Sequence, residues 1–321
     1  MLQSSERPIL MFIHGVGGSA ETWNSQIKYF TDLGYSVVAP DLLGHGFSSA
    51  PDKIAMYKFK HLLEDMVAVF QHFFQNTKHR VVLVGHSYGA LFATCLALQF
   101  PSRVSVLCLI SSGGPYPPPR SSKTGLLSLP SWALDLLKPC LLAKARRSLL
   151  YASHTKRVSL SQAFDIPSHV LHHVVHGQEL PENSGDALLF RRLSLPTLLV
   201  HGMRDPLVSL VEACEMERRR NVYCWPEWAL SSISSKDPSK GSLMKRAILE
   251  VLVRNGTLPD LPGEVIPRAH LEVIPEAGHM CMLDTPSELN RLLLKFLIKW
   301  RRLMTPLPSA HHIHSSAVMP T

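Results

Sequence analysis

Charge is scarce in this 321-residue chain. Asp, Glu, Lys and Arg together make up 18% of it, against 45% hydrophobic residues. That balance excludes a disordered, charge-solvated chain and leaves enough apolar side chain for a sizeable core. Carboxylates are the scarcer sign, 25 against 33 Lys and Arg, for a net charge of +8. The surplus would suit an anionic partner, but most of the basic residues are dispersed along the chain, whereas nucleic acid calls for a dense basic face. No nucleic-acid partner is expected. No apolar run reaches the length of a bilayer, and Met1 to Arg7 lacks the basic-then-apolar order of a signal peptide. The default expectation is a cytoplasmic location, with peripheral contact to an intracellular membrane left open. Paired cysteine spacing is also missing. Cys95, Cys108, Cys140, Cys214, Cys224 and Cys281 are scattered, so reduced thiols are expected rather than disulfides.

What the sequence does have is a strand, a sharp turn and a helix between Val81 and Phe100. Val81 to Val84 is a β-branched run suited to a strand buried on both faces, and Tyr88 to Phe100 is apolar on nearly every side and stops at Pro101. Between them lies Gly85-His86-Ser87-Tyr88-Gly89. In this setting a Gly-x-Ser-x-Gly turn is a nucleophile elbow, whose glycines leave room for a strained backbone at Ser87 that lifts its hydroxyl clear of the sheet. The first amides of the helix, that of Tyr88 among them, then favour negative charge beside Ser87.

Other elements follow in a strand–helix alternation. Strand patterns at Ile9–Ile13, Tyr35–Ala39, Val104–Ile110, Pro196–His201 and Leu271–Ile274 alternate with helical patterns at Glu21–Leu33, Leu62–Phe73, Val208–Arg220 and Pro286–Trp300. Short links between them predict parallel crossover units, hence an α/β fold with a mostly parallel sheet flanked by helices. Thr285, Pro286 and Glu288 read as a capping box for the last helix. The core is expected in three parts, residues 1–112, 193–220 and 270–301. From Gly113 to Arg192 the chain is apolar, basic and broken by prolines, a candidate helical lid. Residues 221–269 read as an irregular insertion and 302–321 as a disordered tail.

A rival reading concerns Gly15-x-Gly17-x-x-Ala20, which lies between a strand and a helix as a dinucleotide fingerprint does, with Asp41 near the place of a ribose-binding acid. It leaves the Ser87 turn without a purpose. The economical alternative makes Gly15 to Gly18 an open loop whose amide at Val16 completes an oxyanion hole with Tyr88. His172 and His176 lie one turn apart but have no glutamate or third ligand beside them, so they read as a histidine-bearing helix surface and no metal site is expected.

Ser87 requires a base on a loop past a late strand, and His279 has that place. The base requires an acid, and Asp205 lies past the preceding strand. The loop Ser111-Ser112-Gly113-Gly114, the other place from which an acid could come, contains no carboxylate. The chain order is therefore Ser, Asp, His.

The runs His14-Gly-Val-Gly-Gly-Ser, Pro40-Asp-Leu-Leu-Gly-His-Gly-Phe-Ser, Gly85-His-Ser-Tyr-Gly, Val200-His-Gly-Met-Arg-Asp205 and Ala277-Gly-His-Met280 resemble the α/β-hydrolase superfamily. The resemblance spans Ile9 to Trp300 apart from Asn221–Ala269. It implies Ser87 as nucleophile, Asp205 as acid, His279 as base, Val16 and Tyr88 as oxyanion donors, ester or lipid substrates, and no cofactor. It also implies that two strands of the family pattern ahead of Ile9 are missing. The expected activity is a serine hydrolase of lipid or lysophospholipid esters. The lid's Arg120, Lys123, Lys138, Lys144, Arg146, Arg147, Lys156 and Arg157 could face a membrane. Two alternatives stand beside it. The spacing His279-x4-Asp284 occurs in acyltransferases, although Asp284 reads more simply as a cap for the helix at Pro286. A hydrolase fold that only binds or scaffolds is the other.

Overall fold

The computed structural model describes residues 7–112, 132–140, 150, 166–177, 190, 192–217 and 268–305. Six strands form one sheet: β1 (Ile9–Ile13), β2 (Ser36–Val38), β3 (Val81–His86), β4 (Val104–Ile110), β5 (Thr197–Gly202) and β6 (Ala269–Ile274). Their order is β2-β1-β3-β4-β5-β6, and every pairing is parallel. The helices are α1 (Asn24–Asp32), α2 (Phe59–Phe74), α3 (Tyr88–Gln99), α4 (Ser168–Gly177), α5 (Leu210–Glu217), α6 (Cys281–Asp284) and α7 (Pro286–Lys299). Residues 132–140 are also helical.

The central strands are buried along their whole length, because a parallel sheet carries helices on both faces and its strands read as continuous apolar runs. Alternate residues face one side. Leu10, Phe12, Val82, Val84, Val106, Cys108, Ile110, Leu198 and Val200 share a cluster with Phe30 of α1 and with Leu289, Leu292, Leu293, Phe296 and Leu297 of α7. Helices α2 and α3 cover the opposite face with buried Leu62, Met66, Phe70 and Phe92. Phe59 and Phe92 stack there with ring centroids 5.0 Å apart.

This order positions the site. From β1 the chain crosses through α1 to β2 on one side, and then β3 forms on the other side of β1. The carboxyl ends of β1 and β3 therefore flank the point where the strand order reverses, which is where open α/β sheets bind ligands.

The helix expected over Glu21–Leu33 opens as a 3-10 turn, Ala20–Trp23, before α1 begins. The capping box is a second difference. Thr285 is the N-cap of α7 but makes no side-chain cap bond; its hydroxyl donates back to the Cys281 carbonyl at 3.3 Å. Glu288 instead accepts from Nε of Arg291 at 2.9 Å, an i,i+3 ion pair on the exposed face. The first turn rests on Pro286.

Chain contacts separate two units, Met1–Glu217 with Ile266–Thr321, and Arg218–Val265. The second unit, most of the expected lid, nearly all of the expected insertion and the tail from residue 306 lie outside the described residues. The part of the lid that is described includes α4. Its Val170 and Val174 cluster with Ile166 and Tyr57, and Val16 and Leu43 pack against them. Two histidines fasten the helix, His169 donating to the Ala50 carbonyl at 3.1 Å and His173 to Asp52 at 2.6 Å.

Candidate active site

Ser87 sits between β3 and α3 with φ 51° and ψ −118°. Its neighbours explain how the turn closes. A Cβ on Gly89 would lie 2.3 Å from the Ile13 carbonyl oxygen, and one on Gly85 would lie 2.6 Å from Cα of Ala90. Only glycine lets α3 start this close to β1, so the two glycines permit an elbow that a side chain at either place would block.

The loop after β1 packs directly on the elbow: a Cβ built on Gly15 would stand 3.0 Å from that of Ser87. His14 shapes this loop. Its Nδ1–H donates to the Gly15 carbonyl at 2.8 Å and its Nε2 accepts the amide of Leu42 at 3.0 Å. Burial pushes the His14 pKa down to about 3, and His45 nearby pushes the same way, so the ring is neutral, as an imidazole that both donates and accepts must be. Among the described residues, no acceptor takes the amide of Val16 or that of Tyr88. Both belong to segments that meet at Ser87.

Asp41 decides the dinucleotide question. Its carboxylate accepts the amides of Ala20 at 2.7 Å and Phe47 at 2.9 Å, clamping two loops together. Its oxygens are engaged by the chain's own backbone, and the glycine loop leads into a 3-10 turn rather than an α-helix. The fingerprint reading is set aside for those reasons.

Asp205 and His279 are brought together by the pairing of β5 with β6. Beyond the strands the ladder continues, Met203 N–H to the Ile274 carbonyl and Arg204 N–H to the Ala277 carbonyl, each at 2.9 Å. That places the two loops side by side. His279 Nδ1–H donates to Asp205 Oδ2 at 2.8 Å, with side-chain exposures of 5% and 0%. Asp205 Oδ1 accepts the amides of Leu207 at 2.8 Å and Val208 at 3.0 Å. Burial alone would raise the Asp205 pKa; the bond from His279, its charge and the two amides outweigh burial and hold the carboxyl below its ordinary value.

Sequence reasoning did not find the part played by three further residues. His86, inside the elbow, donates Nε2–H to the His279 carbonyl at 3.0 Å, with the two rings 4.9 Å apart. Burial, with His279 adjacent, pushes its pKa down to about 3. His201, 1% exposed at the end of β5, has a lowered pKa through burial. Asp284 is 2% exposed and accepts the Gly278 amide at 2.9 Å. The expectation that Asp284 caps α7 is thereby corrected: its carboxylate turns back into the His279 loop, because Asp284 is the last residue of the one-turn helix α6 and Thr285 takes the N-cap place of α7. The signal for His14 and His86 was a polar ring at the end of an otherwise apolar strand, a position that demands a built partner.

His172 and His176 lie with ring centroids 4.4 Å apart on α4. Among the described residues no group of three His, Cys, Asp or Glu is placed to hold a metal ion.

Comparison with known proteins agrees with this architecture. Protein ABHD8 of Bos taurus is 35% identical over 310 residues, covering 94% of this chain and 60% of that protein. The Homo sapiens protein of the same name is also 35% identical, covering 94% and 58%. The chain thus spans about 60% of the length of these relatives. Among solved structures, a thermophilic esterase from Thermogutta terrifontis superposes with a TM-score of 0.65 at 18% identity, over 94% of this chain and 92% of that one. The family model described as alpha/beta hydrolase fold matches residues 8–228, from the start of β1 past Asp205. With that match covering more than half its length, the chain belongs to the alpha/beta hydrolase fold family.

Proposed function

We propose that the protein is a serine hydrolase of carboxylic esters with apolar acyl groups, of lipid or lysophospholipid type. The observation that carries this reading is the buried Asp205–His279 pair at 2.8 Å, on loops joined through His86 to the strained turn of Ser87. In this reading His279 takes the proton of the Ser87 hydroxyl as Oγ attacks the ester carbonyl. Asp205 holds the ring with Nδ1 protonated and stabilises the imidazolium. The amides of Val16 and Tyr88 receive the oxyanion. His279 returns the proton to the departing alcohol, and water, activated by the same ring, releases the acid from the acyl-enzyme.

An apolar acyl chain is favoured by what stands next to Val16, namely Val170, Val174, Ile166 and Tyr57. Basic residues of the segment 113–192 would serve contact with an anionic membrane surface. Among the described residues no helix is long and apolar enough to cross a membrane. The bond from Gly278 to Asp284 supports hydrolysis over acyl transfer, since it gives that carboxylate a task in holding the loop.

The test is labelling by a fluorophosphonate probe together with hydrolysis of p-nitrophenyl butyrate, in the native protein and Ser87→Ala. Both signals are expected in the native protein and neither in the variant. Equal labelling of the two would remove Ser87 from the reaction.

A further inference from the structure

His279 lies on the loop between β6 and α6, directly after Gly278, the residue type with the widest backbone freedom. A general base there needs its backbone held as well as its ring. Asp205 orients the ring. The backbone is held by two side chains: Asp284 accepts the Gly278 amide at 2.9 Å, and His86 donates to the His279 carbonyl at 3.0 Å. Those two groups belong to the peptide units that bracket the Gly278–His279 link, so they restrain the torsions on both sides of it. Both side chains are buried, Asp284 at 2% and His86 at 4% exposure. His86 is also the residue immediately before Ser87. The same hydrogen bond therefore ties the elbow to the loop of the base.

We propose that His86 and Asp284 are positioning residues that brace His279 against the Ser87 elbow, His86 acting as a donor and Asp284 as an acceptor. The proposal rests on the hydrolase reading above. It separates their role from acid–base chemistry: Asp284 is required for an acceptor oxygen aimed at Gly278, which an asparagine also has, and His86 for an N–H of a particular reach, which a glutamine has and an alanine lacks.

The experiment compares His86→Ala, His86→Gln, Asp284→Ala and Asp284→Asn with the native protein. Three readouts are taken: kcat and KM for p-nitrophenyl butyrate, the rate of fluorophosphonate labelling, and the downfield proton resonance of His279 Nδ1–H. The resonance is assigned by its disappearance in His279→Gln. In the alanine variants kcat is expected to fall by about 10- to 100-fold with KM within about twofold, as misplacement of a reacting group by a fraction of an ångström would cause. Labelling slows in proportion, and the resonance broadens through faster exchange with water. Asp284→Asn and His86→Gln recover most of the rate and the resonance. Folded alanine variants with native kcat and an unchanged resonance would overturn the proposal, as would Asp284→Asn failing as badly as Asp284→Ala. Should alanine at 86 not fold, His86→Asn replaces it, its amide being too short to reach the carbonyl. If the native protein neither hydrolyses nor labels, the hydrolase reading fails. The resonance then decides the brace alone.

Discussion

The amide of Leu42 donates to Nε2 of His14 at 3.0 Å, so a buried imidazole at the carboxyl end of β1 ties the loop after β1 to the loop after β2. This bond exists only while the ring is neutral. Burial pushes His14 and His86 each down to about 3, and lowers His45 as well. In the unfolded chain these rings take up protons near pH 6.5. Between about pH 3 and 6.5 the unfolded state therefore binds more protons than the folded one, and stability rises with pH. Above that window their contribution is complete and flat. His14 and His86 each steepen the dependence by about 1.4 kcal/mol per pH unit, and His45 acts in the same direction. Urea unfolding at half-unit steps from pH 4.5 to 8 should show the rise and the plateau; a flat profile below pH 6.5 would mean that the rings are protonated in place.

Ser87 holds φ 51°, a backbone conformation that suits glycine. Such strain costs about 1–3 kcal/mol and is kept where function needs it. Ser87→Gly should raise the melting temperature by roughly 2–6 °C while abolishing fluorophosphonate labelling. Ser87→Ala, which keeps the strain, should lose the labelling without gaining the stability.

Asp205→Asn retains an acceptor for the amides of Leu207 and Val208, so the fold should survive. The amide favours the wrong tautomer of His279 and cannot stabilise its charged form. Turnover is expected to drop by about three to four orders of magnitude in steady-state hydrolysis of p-nitrophenyl butyrate. A loss of less than tenfold would move the acid elsewhere.

Gly89 lies in the first turn of α3, where helix propensity alone would make alanine better by about 1 kcal/mol. Tertiary contact reverses the sign, because the new Cβ would meet the backbone oxygens of Ile13 and His14 at 2.3 and 2.5 Å. Gly89→Ala should destabilise by about 3 kcal/mol, measured by chemical denaturation, since neither atom can rotate away.

Some of this was legible in the chain alone. Strands β1 and β4 have the bounds their apolar runs predict, Ile9–Ile13 and Val104–Ile110, because a strand buried on both faces has no alternation to blur its ends. The elbow was legible because its two glycines and its serine lie within five residues, although the atoms that require Gly89 belong to Ile13 and His14. Asp205 and His279 could be nominated from their places after late strands. Their approach to 2.8 Å could not, being a product of the parallel pairing of β5 with β6.

Partners distant in sequence were the part left to the tertiary structure. His86 and the carbonyl of His279 are 193 positions apart, and no periodicity joins them. Asp284 shows the same limit at short range. Six residues from Gly278 and two before Pro286, its local sequence fits a helix cap as well as a loop brace. The direction of its side chain was decided by α6, a single turn that aims the carboxylate at the Gly278 amide and leaves Thr285 as the N-cap of α7. The amino-acid sequence by itself determined the sheet, the elbow and the loops on which reactive groups stand, since those depend on burial and sterics acting within a few residues. Which polar groups meet across those loops was decided by the tertiary structure, because each buried donor and acceptor had to find its partner among whatever the packed strands brought near.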